Sequence, residues 1–176
     1  IYRLGGKVIK FNYDNSSKKK GESLEDTIRT IDSYVDVLII RHPEKNIFSK
    51  IKKYTTKPII NAGDGDGEHP TQALLDLYTV LDYYPNYPSK IAFTGDIKYS
   101  RTIHSLIYLL NKLTKDIKFF FIINNELGLT EELLNHLKNY YYYIFDNIEL
   151  IINEIDVLYV TRLQKERFLN ENCNNL

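Results

Sequence analysis

The chain has 176 residues, enough for one large domain or two small ones, and its 23 Lys and Arg balance 23 Asp and Glu. That balance excludes a global field favouring nucleic acid or an anionic membrane, so any anionic ligand must be held by a local cationic cluster. The single cysteine, Cys173, excludes an intrachain disulfide and a multi-cysteine metal site.

No apolar stretch approaches a membrane span, and no signal-peptide pattern is visible. Methionine is absent, position 1 included, and Gly5 to Phe11 already reads as a turn and strand. Both features lead us to expect a piece of a longer protein. The abundance of Lys, Asn, Ile and Tyr reads as coding bias, which gives the Asn-rich end and the Tyr140 to Tyr143 run little functional weight.

Val8 to Tyr13 predicts a strand, followed by the polar loop Asp14 to Glu22. Ser23 caps the next helix, with Asp26 three residues on in place of the usual Glu, and Leu24, Ile28, Ile31 and Val35 form its apolar face. Val35 to Ile40 is a near-continuous apolar run of the buried parallel type, with Arg41-His42 at its C-terminal end. A short helix at Phe48 to Tyr54 precedes a strand at Lys57 to Asn61.

The stretch Asn61 to Asp76 reads Asn-Ala-Gly-Asp-Gly-Asp-Gly-Glu-His-Pro-Thr-Gln-Ala-Leu-Leu-Asp. Its alternating glycines are expected to break regular structure and leave N–H groups facing a ligand. Pro70 suits the first helical position, and His69 and Gln72, three residues apart, project from one face of the first turn. Such a helix N-terminus favours an anion. Leu74, Leu75, Leu77 and Val80 are expected to continue a buried stripe. The plainer alternative is a solvent loop before an amphipathic helix. A calcium loop fails, because His69 and Pro70 stand where the turn glycine and its neighbour are needed.

This helix ends near Tyr84, and Pro85 and Pro88 mark the expected domain boundary, dividing the chain into 1–84 and 85–176. A strand at Lys90 to Thr94, a loop Gly95 to Thr102 and a helix Ile103 to Leu113 follow. Next come a strand Ile117 to Ile123, a helix Glu131 to Asn139, a strand Tyr142 to Phe145 and a short helix Ile148 to Ile155. Val157 to Arg162 is the last strand, and Gln164 to Phe168 opens a final turn or helix. This alternation predicts two parallel, doubly wound α/β units, in which ligands sit beyond the C-terminal strand ends. Arg41, the loop before His69, the loop reaching Arg101, and Arg162 all occupy such ends. Singly, each arginine reads as a solvated or paired surface charge, and Lys18-Lys19-Lys20 more often as a solvated loop than as a ligand site. Together they describe a cationic cavity without an obvious nucleophile. There is no Ser–His–acid order with a nucleophile elbow, no His-Glu-x-x-His and no Walker loop. Chemistry there would hold two anionic reactants together and stabilise an oxyanion.

Several stretches, in order, then carry a resemblance: Lys20 to Thr27, Arg41-His42-Pro43, Asn61 to Asp76, Gly95 to Leu106, and Leu158 to Phe168. Along nearly its whole length the chain resembles the aspartate carbamoyltransferase catalytic-subunit family. The resemblance implies two α/β domains, one for carbamoyl phosphate and one for aspartate, with the helix from His69 crossing between them. It implies that Arg41 binds the phosphate and the carbamoyl oxygen, that His69 donates to that oxygen as a neutral imidazole, and that Gln72 fixes the carbamoyl amide. Ser16 (or Ser17, one place on), Lys19 and Lys20 match a loop that in this family enters a neighbouring subunit's site. Arg101 and Arg162 match the residues that hold the two aspartate carboxylates, assisted by Gln164.

The implied reaction is attack of the aspartate amine on carbamoyl phosphate, a step of pyrimidine biosynthesis. It needs no metal or organic cofactor and runs in a cytoplasmic homotrimer with shared sites, without a nucleic-acid or membrane partner. The family's Ser-Thr-Arg-Thr and His-Pro-Leu-Pro segments are absent from this sequence. An ornithine-type carbamoyltransferase is the nearest rival, but that family typically carries Cys where Thr71 stands. The arginine pair also favours a substrate with two carboxylates. A non-catalytic anion-binding homologue is the rival of a different class.

Overall fold

The computed structural model describes residues 1–12, 21–65, 67–84, 86–123 and 128–163. They separate into two units, Ile1–Gly65 and Asp66–Leu176, each built on a parallel sheet.

In the first unit, α1 (Leu24–Asp32) starts where Ser23 Oγ accepts the Asp26 N–H at 3.1 Å and donates to the Asp26 carboxylate at 2.6 Å. The first bond is the one the Ser23–Asp26 spacing predicts; in the second the carboxylate takes the Ser23 hydroxyl rather than the Ser23 backbone N–H of a capping box. Strand β1 (Leu38–His42) pairs in parallel with β2 (Ile59–Asp64), and α2 (Ile47–Ile51) connects them. Ile28, Ile47 and Ile51 form the small core, with Leu24, Ile40 and Ile59 packed on it. β1 begins at Leu38 rather than Val35 because its partner begins at Ile59. Pro58, lacking an N–H, offers only its carbonyl, which Leu38 N reaches at 2.9 Å. Residues 8–12 form no strand, contrary to expectation, and Tyr13 lies outside the described residues. Among the described residues β1 and β2 pair only with each other, so residues 8–12 have no ladder to join. Ile9 and Phe11 instead border an apolar groove of about 210 Å³ beside α1 and β1.

The second unit has strands β3 (Lys90–Thr94), β4 (Lys118–Ile122), β5 (Tyr141–Phe145) and β6 (Val157–Val160) in the order β5-β4-β3-β6, all parallel. Helices α3 (Pro70–Tyr83), α4 (Arg101–Leu113) and α5 (Glu131–Leu137) cover one face. There Ile91, Phe93, Phe119 and Phe121 meet Ala73, Leu77, Ile103, Ile107, Leu110 and Leu133. Ala92 and Phe120 point the other way, onto Ile151.

The expected helix at Ile148 to Ile155 is only a 3-10 turn, Ile148–Leu150. Asn147 Oδ1 caps Glu149 N at 2.9 Å, but Ile151 leaves helical geometry at φ −131, where a run of β-branched residues and Asn offers little propensity. On α3, Leu74 and Leu75 are more than half exposed, which corrects the expected stripe. The buried positions are Ala73 and Leu77, four apart, with Leu81 packed against the same core. These side chains pack α3 on α4, within the second unit.

Candidate active site

From β3 the chain winds through α4, β4, α5 and β5 in one direction, then returns to lay β6 on the other side of β3. The strand order therefore reverses at β3, and a crevice opens at the C-terminal ends of β3 and β6. The two ends nonetheless approach closely. Gly95, directly after β3, has φ +96, and a Cβ there would lie 2.1 Å from the Thr161 carbonyl oxygen. Thr161 N donates to Thr94 O at 3.0 Å, carrying the pairing one residue past β6 and placing Arg162 just beyond the strand rather than in it. Buried Asp96 accepts Tyr99 N at 2.9 Å, which turns the chain towards Arg101 at the start of α4.

The start of α3 completes the crevice. Pro70 occupies its first turn, where a missing N–H costs nothing, and His69 is its N-cap residue. His69 N donates to the buried Ser105 Oγ on α4 at 2.8 Å, and the Ser105 hydroxyl donates to the Glu68 carboxylate. Helix α4 thus fixes the point from which α3 departs.

These elements enclose a pocket of about 330 Å³ lined by His69, Gln72, Ser100, Arg101, Thr102, Tyr159, Val160, Thr161 and Arg162. Four of the residues singled out in the sequence, His69, Gln72, Arg101 and Arg162, meet there. Two guanidinium groups and two helix N-termini make it suited to an anion. Arg41 lies in β1, near its C-terminal end, in the first unit. Ser16, Lys19, Lys20 and Gln164 lie outside the described residues.

The glycine stretch differs from expectation. β2 runs on through Gly63, at φ +121, and Asp64, and three steps along it oppose two along β1 as a bulge. The Gly63 N–H donates to Asn61 Oδ1 at 2.6 Å and that of Gly65 to His42 O at 2.7 Å. Both donors serve the loop itself rather than a ligand.

The sequence reading missed a small network under the pocket. Gln72 Nε2 donates to Asp76 Oδ1 at 2.9 Å, and Tyr159 OH donates to Asp76 Oδ2 at 2.7 Å. Burial pushes the Tyr159 phenol up to about 12; a hydrogen bond from Thr102 opposes this and the bond to Asp76 adds to it. The hydroxyl is therefore a standing donor. The i, i+4 spacing of Gln72 and Asp76 was the available signal, whereas Tyr159 gave none. On α4, burial lowers the pKa of His104, whose Nε2 lies 3.1 Å from Ile97 O, so the neutral ring donates there.

Among the described residues no group of three or more His, Cys, Asp or Glu is placed to hold a metal ion. Among them, too, no helix is long and apolar enough to cross a membrane.

Residues 1–82 match the family model described as aspartate/ornithine carbamoyltransferase, carbamoyl-P binding domain. Over 174 residues, 97% of this chain and 56% of the relative, the sequence is 46% identical to the aspartate carbamoyltransferase catalytic subunit of Methanocaldococcus jannaschii. Residues 1–82 thus belong to the aspartate/ornithine carbamoyltransferase family, and the chain as a whole is similar to its aspartate carbamoyltransferases. A crystal structure of that catalytic subunit superposes with a TM-score of 0.85, covering 95% of this chain and 56% of the other at 46% identity. Aspartate transcarbamoylase from Trypanosoma cruzi, solved in complex with carbamoyl aspartate and phosphate, gives a TM-score of 0.83 at 40% identity, covering 96% of this chain and 57% of that one. The same enzyme has been solved with N-(phosphonacetyl)-L-aspartic acid. The chain thus spans little more than half the length of the carbamoyltransferases it matches.

Proposed function

We propose that the protein transfers the carbamoyl group of carbamoyl phosphate to the amine of L-aspartate, giving N-carbamoyl-L-aspartate and phosphate for pyrimidine biosynthesis. The observation that carries this reading is the meeting of Arg101 and Arg162 with His69 and Gln72 in one pocket. Each guanidinium offers a planar fork that matches a carboxylate, so the pair selects a dicarboxylate and orients its amine. His69 donates to the carbamoyl oxygen and Gln72 fixes the carbamoyl amide; Arg41 serves the phosphate and the same oxygen. As the amine attacks, the C–N bond forms and the C=O electron pair moves onto oxygen, where these donors stabilise it. The tetrahedral species collapses, the C=O re-forms, the bond to the phosphate oxygen breaks, phosphate leaves with that electron pair, and the amine proton passes to the departing phosphate. No covalent enzyme intermediate, metal or organic cofactor is called for.

In this reading residues 1–84 form the carbamoyl-phosphate domain and 85–176 the aspartate domain, with Gln164 assisting on aspartate. The protein is a cytoplasmic homotrimer in which Lys20 and Ser16 reach a neighbour's site. The bisubstrate analogue N-(phosphonacetyl)-L-aspartate provides a test. Calorimetry on the natural protein is expected to give one site per chain, strongly weakened by Arg162→Ala. No binding would overturn the reading, and a preference for N-(phosphonacetyl)-L-ornithine would transfer it to the ornithine-type activity.

A further inference from the structure

We propose that Asp76 is a positioning residue that dictates which end of the Gln72 amide meets a ligand, so that the pocket selects a carbamoyl NH2 over a methyl group of the same size. The inference deepens the carbamoyl-transfer reading and rests on it. A glutamine amide has nearly the same shape at both ends, and only its hydrogen-bond partners decide its orientation. Gln72 lines the pocket, and one turn further along α3 stands a carboxylate, which can only accept. Its Oδ1 takes the Gln72 N–H at 2.9 Å, so Nε2 faces Asp76 and the carbonyl Oε1 is the end left for a ligand. A carbonyl accepts hydrogen bonds, and the complementary ligand group is a neutral NH2.

The carboxylate itself is held. Tyr159 OH donates to Oδ2 at 2.7 Å, so neither oxygen of Asp76 is at liberty to rotate towards another donor. The phenol, pushed up to about 12 chiefly by burial, keeps its proton throughout the neutral range. Tyr159 is on β6, the strand that leads to Arg162, and Gln72 is in the first turn of α3. One carboxylate therefore ties the amide-reading group to the strand that presents a carboxylate-reading guanidinium. Without it, Gln72 could turn its NH2 to the pocket and set donor against donor.

The test uses the natural protein and two non-reacting probes, phosphonoacetamide, which carries the NH2, and 2-oxopropylphosphonate, which carries CH3 instead. One lost hydrogen bond corresponds to about tenfold, so the wild type is expected to bind the amide about tenfold more tightly. Asp76→Asn, whose own amide can present either end, should bring that ratio close to one while leaving the methyl probe's affinity within about twofold. In parallel, the nitrogen-15 signal of the Gln72 side-chain amide should lose its hydrogen-bonded position and its slow exchange. A wild type without the preference, or Asp76→Asn with the preference intact, would overturn the inference. If Asp76→Asn does not fold, Tyr159→Phe serves, with a smaller fall in the ratio expected and an unchanged ratio counting against the proposal. A wild type that keeps the preference but forms no N-carbamoyl-aspartate counts against the carbamoyl-transfer reading and not against Asp76.

Discussion

At the scale of single residues, what distinguishes Arg162 from a surface arginine is its backbone, held one residue after the Thr161–Thr94 bond at the mouth of the β3–β6 crevice. Losing one partner of a desolvated charge pair costs ~2–5 kcal/mol, and ~1.4 kcal/mol is tenfold. Arg162→Ala in the natural protein should therefore raise the aspartate KM by roughly 30-fold or more while leaving carbamoyl phosphate binding nearly intact. Equal weakening of both substrates would show that Arg162 acts on the structure instead.

His104 gives a second expectation. Burial sets its folded pKa below the unfolded value of 6.5, with the Ile97 carbonyl, Glu132 and Glu68 raising it and His136 lowering it. The unfolded chain therefore binds more protons as pH falls past that value. The contribution of the neutral ring is complete above about pH 6.5 and is lost as pH falls through the lower folded value. Thermal melts should show stability declining on that acid side, with a shallower decline in His104→Gln; identical slopes would remove His104 from the account.

At the scale of elements, the site depends on how closely the ends of β3 and β6 approach. Gly95→Ala would combine a positive φ with a Cβ 2.1 Å from Thr161 O, so a loss of about 1–3 kcal/mol is expected in denaturant titration. Gly128→Ala, whose Cβ would meet nothing within 4 Å, is the control and should stay within about 0.5 kcal/mol. Equal losses in both would mean that the close approach does not matter.

Elements whose signal is local were legible. Ser23 and Asp26 announced α1, Pro70 announced α3, and the apolar runs at Lys90 to Thr94 and around Phe119 to Phe121 announced β3 and β4. Those decided by a partner were not. β1 starts where Ile59 makes a ladder available, and residues 8–12 carry a strand's composition without a strand to join. Leu74 and Leu75 looked like core, yet the helical period turns Ala73 inward beside Leu77, which was expected there, and leaves those two exposed. The site divides in the same way. His69, Gln72, Arg101 and Arg162 were readable because parallel sheets gather function at strand ends. The Tyr159–Asp76 bond joins residues 83 apart and has no local pattern.

At the scale of the whole molecule, the shared-site proposal rests on the loop Asp14 to Glu22, whose Lys18, Lys19 and Lys20 have no acidic neighbours within it except Asp14 and Glu22. For a lysine in an ordinary solvated loop, loss of an exposed pair is worth only ~0–1 kcal/mol, and Lys20→Ala would change little. If Lys20 acts on a neighbour's substrates, mixing inactive Lys20→Ala and inactive His69→Ala subunits restores part of the activity, because some interfaces then carry both lesions and others none. With subunit exchange confirmed by native mass measurement, a mixture that stays inactive rules out action in trans.

The most direct measurement gives the natural protein carbon-13 carbamoyl phosphate with equal L-aspartate and L-ornithine, and follows the labelled carbonyl by NMR. The account expects N-carbamoyl-L-aspartate with one phosphate released per turnover, no citrulline, and loss of the product signal in His69→Ala. Citrulline as the product, no transfer at all, or full activity in His69→Ala would contradict it.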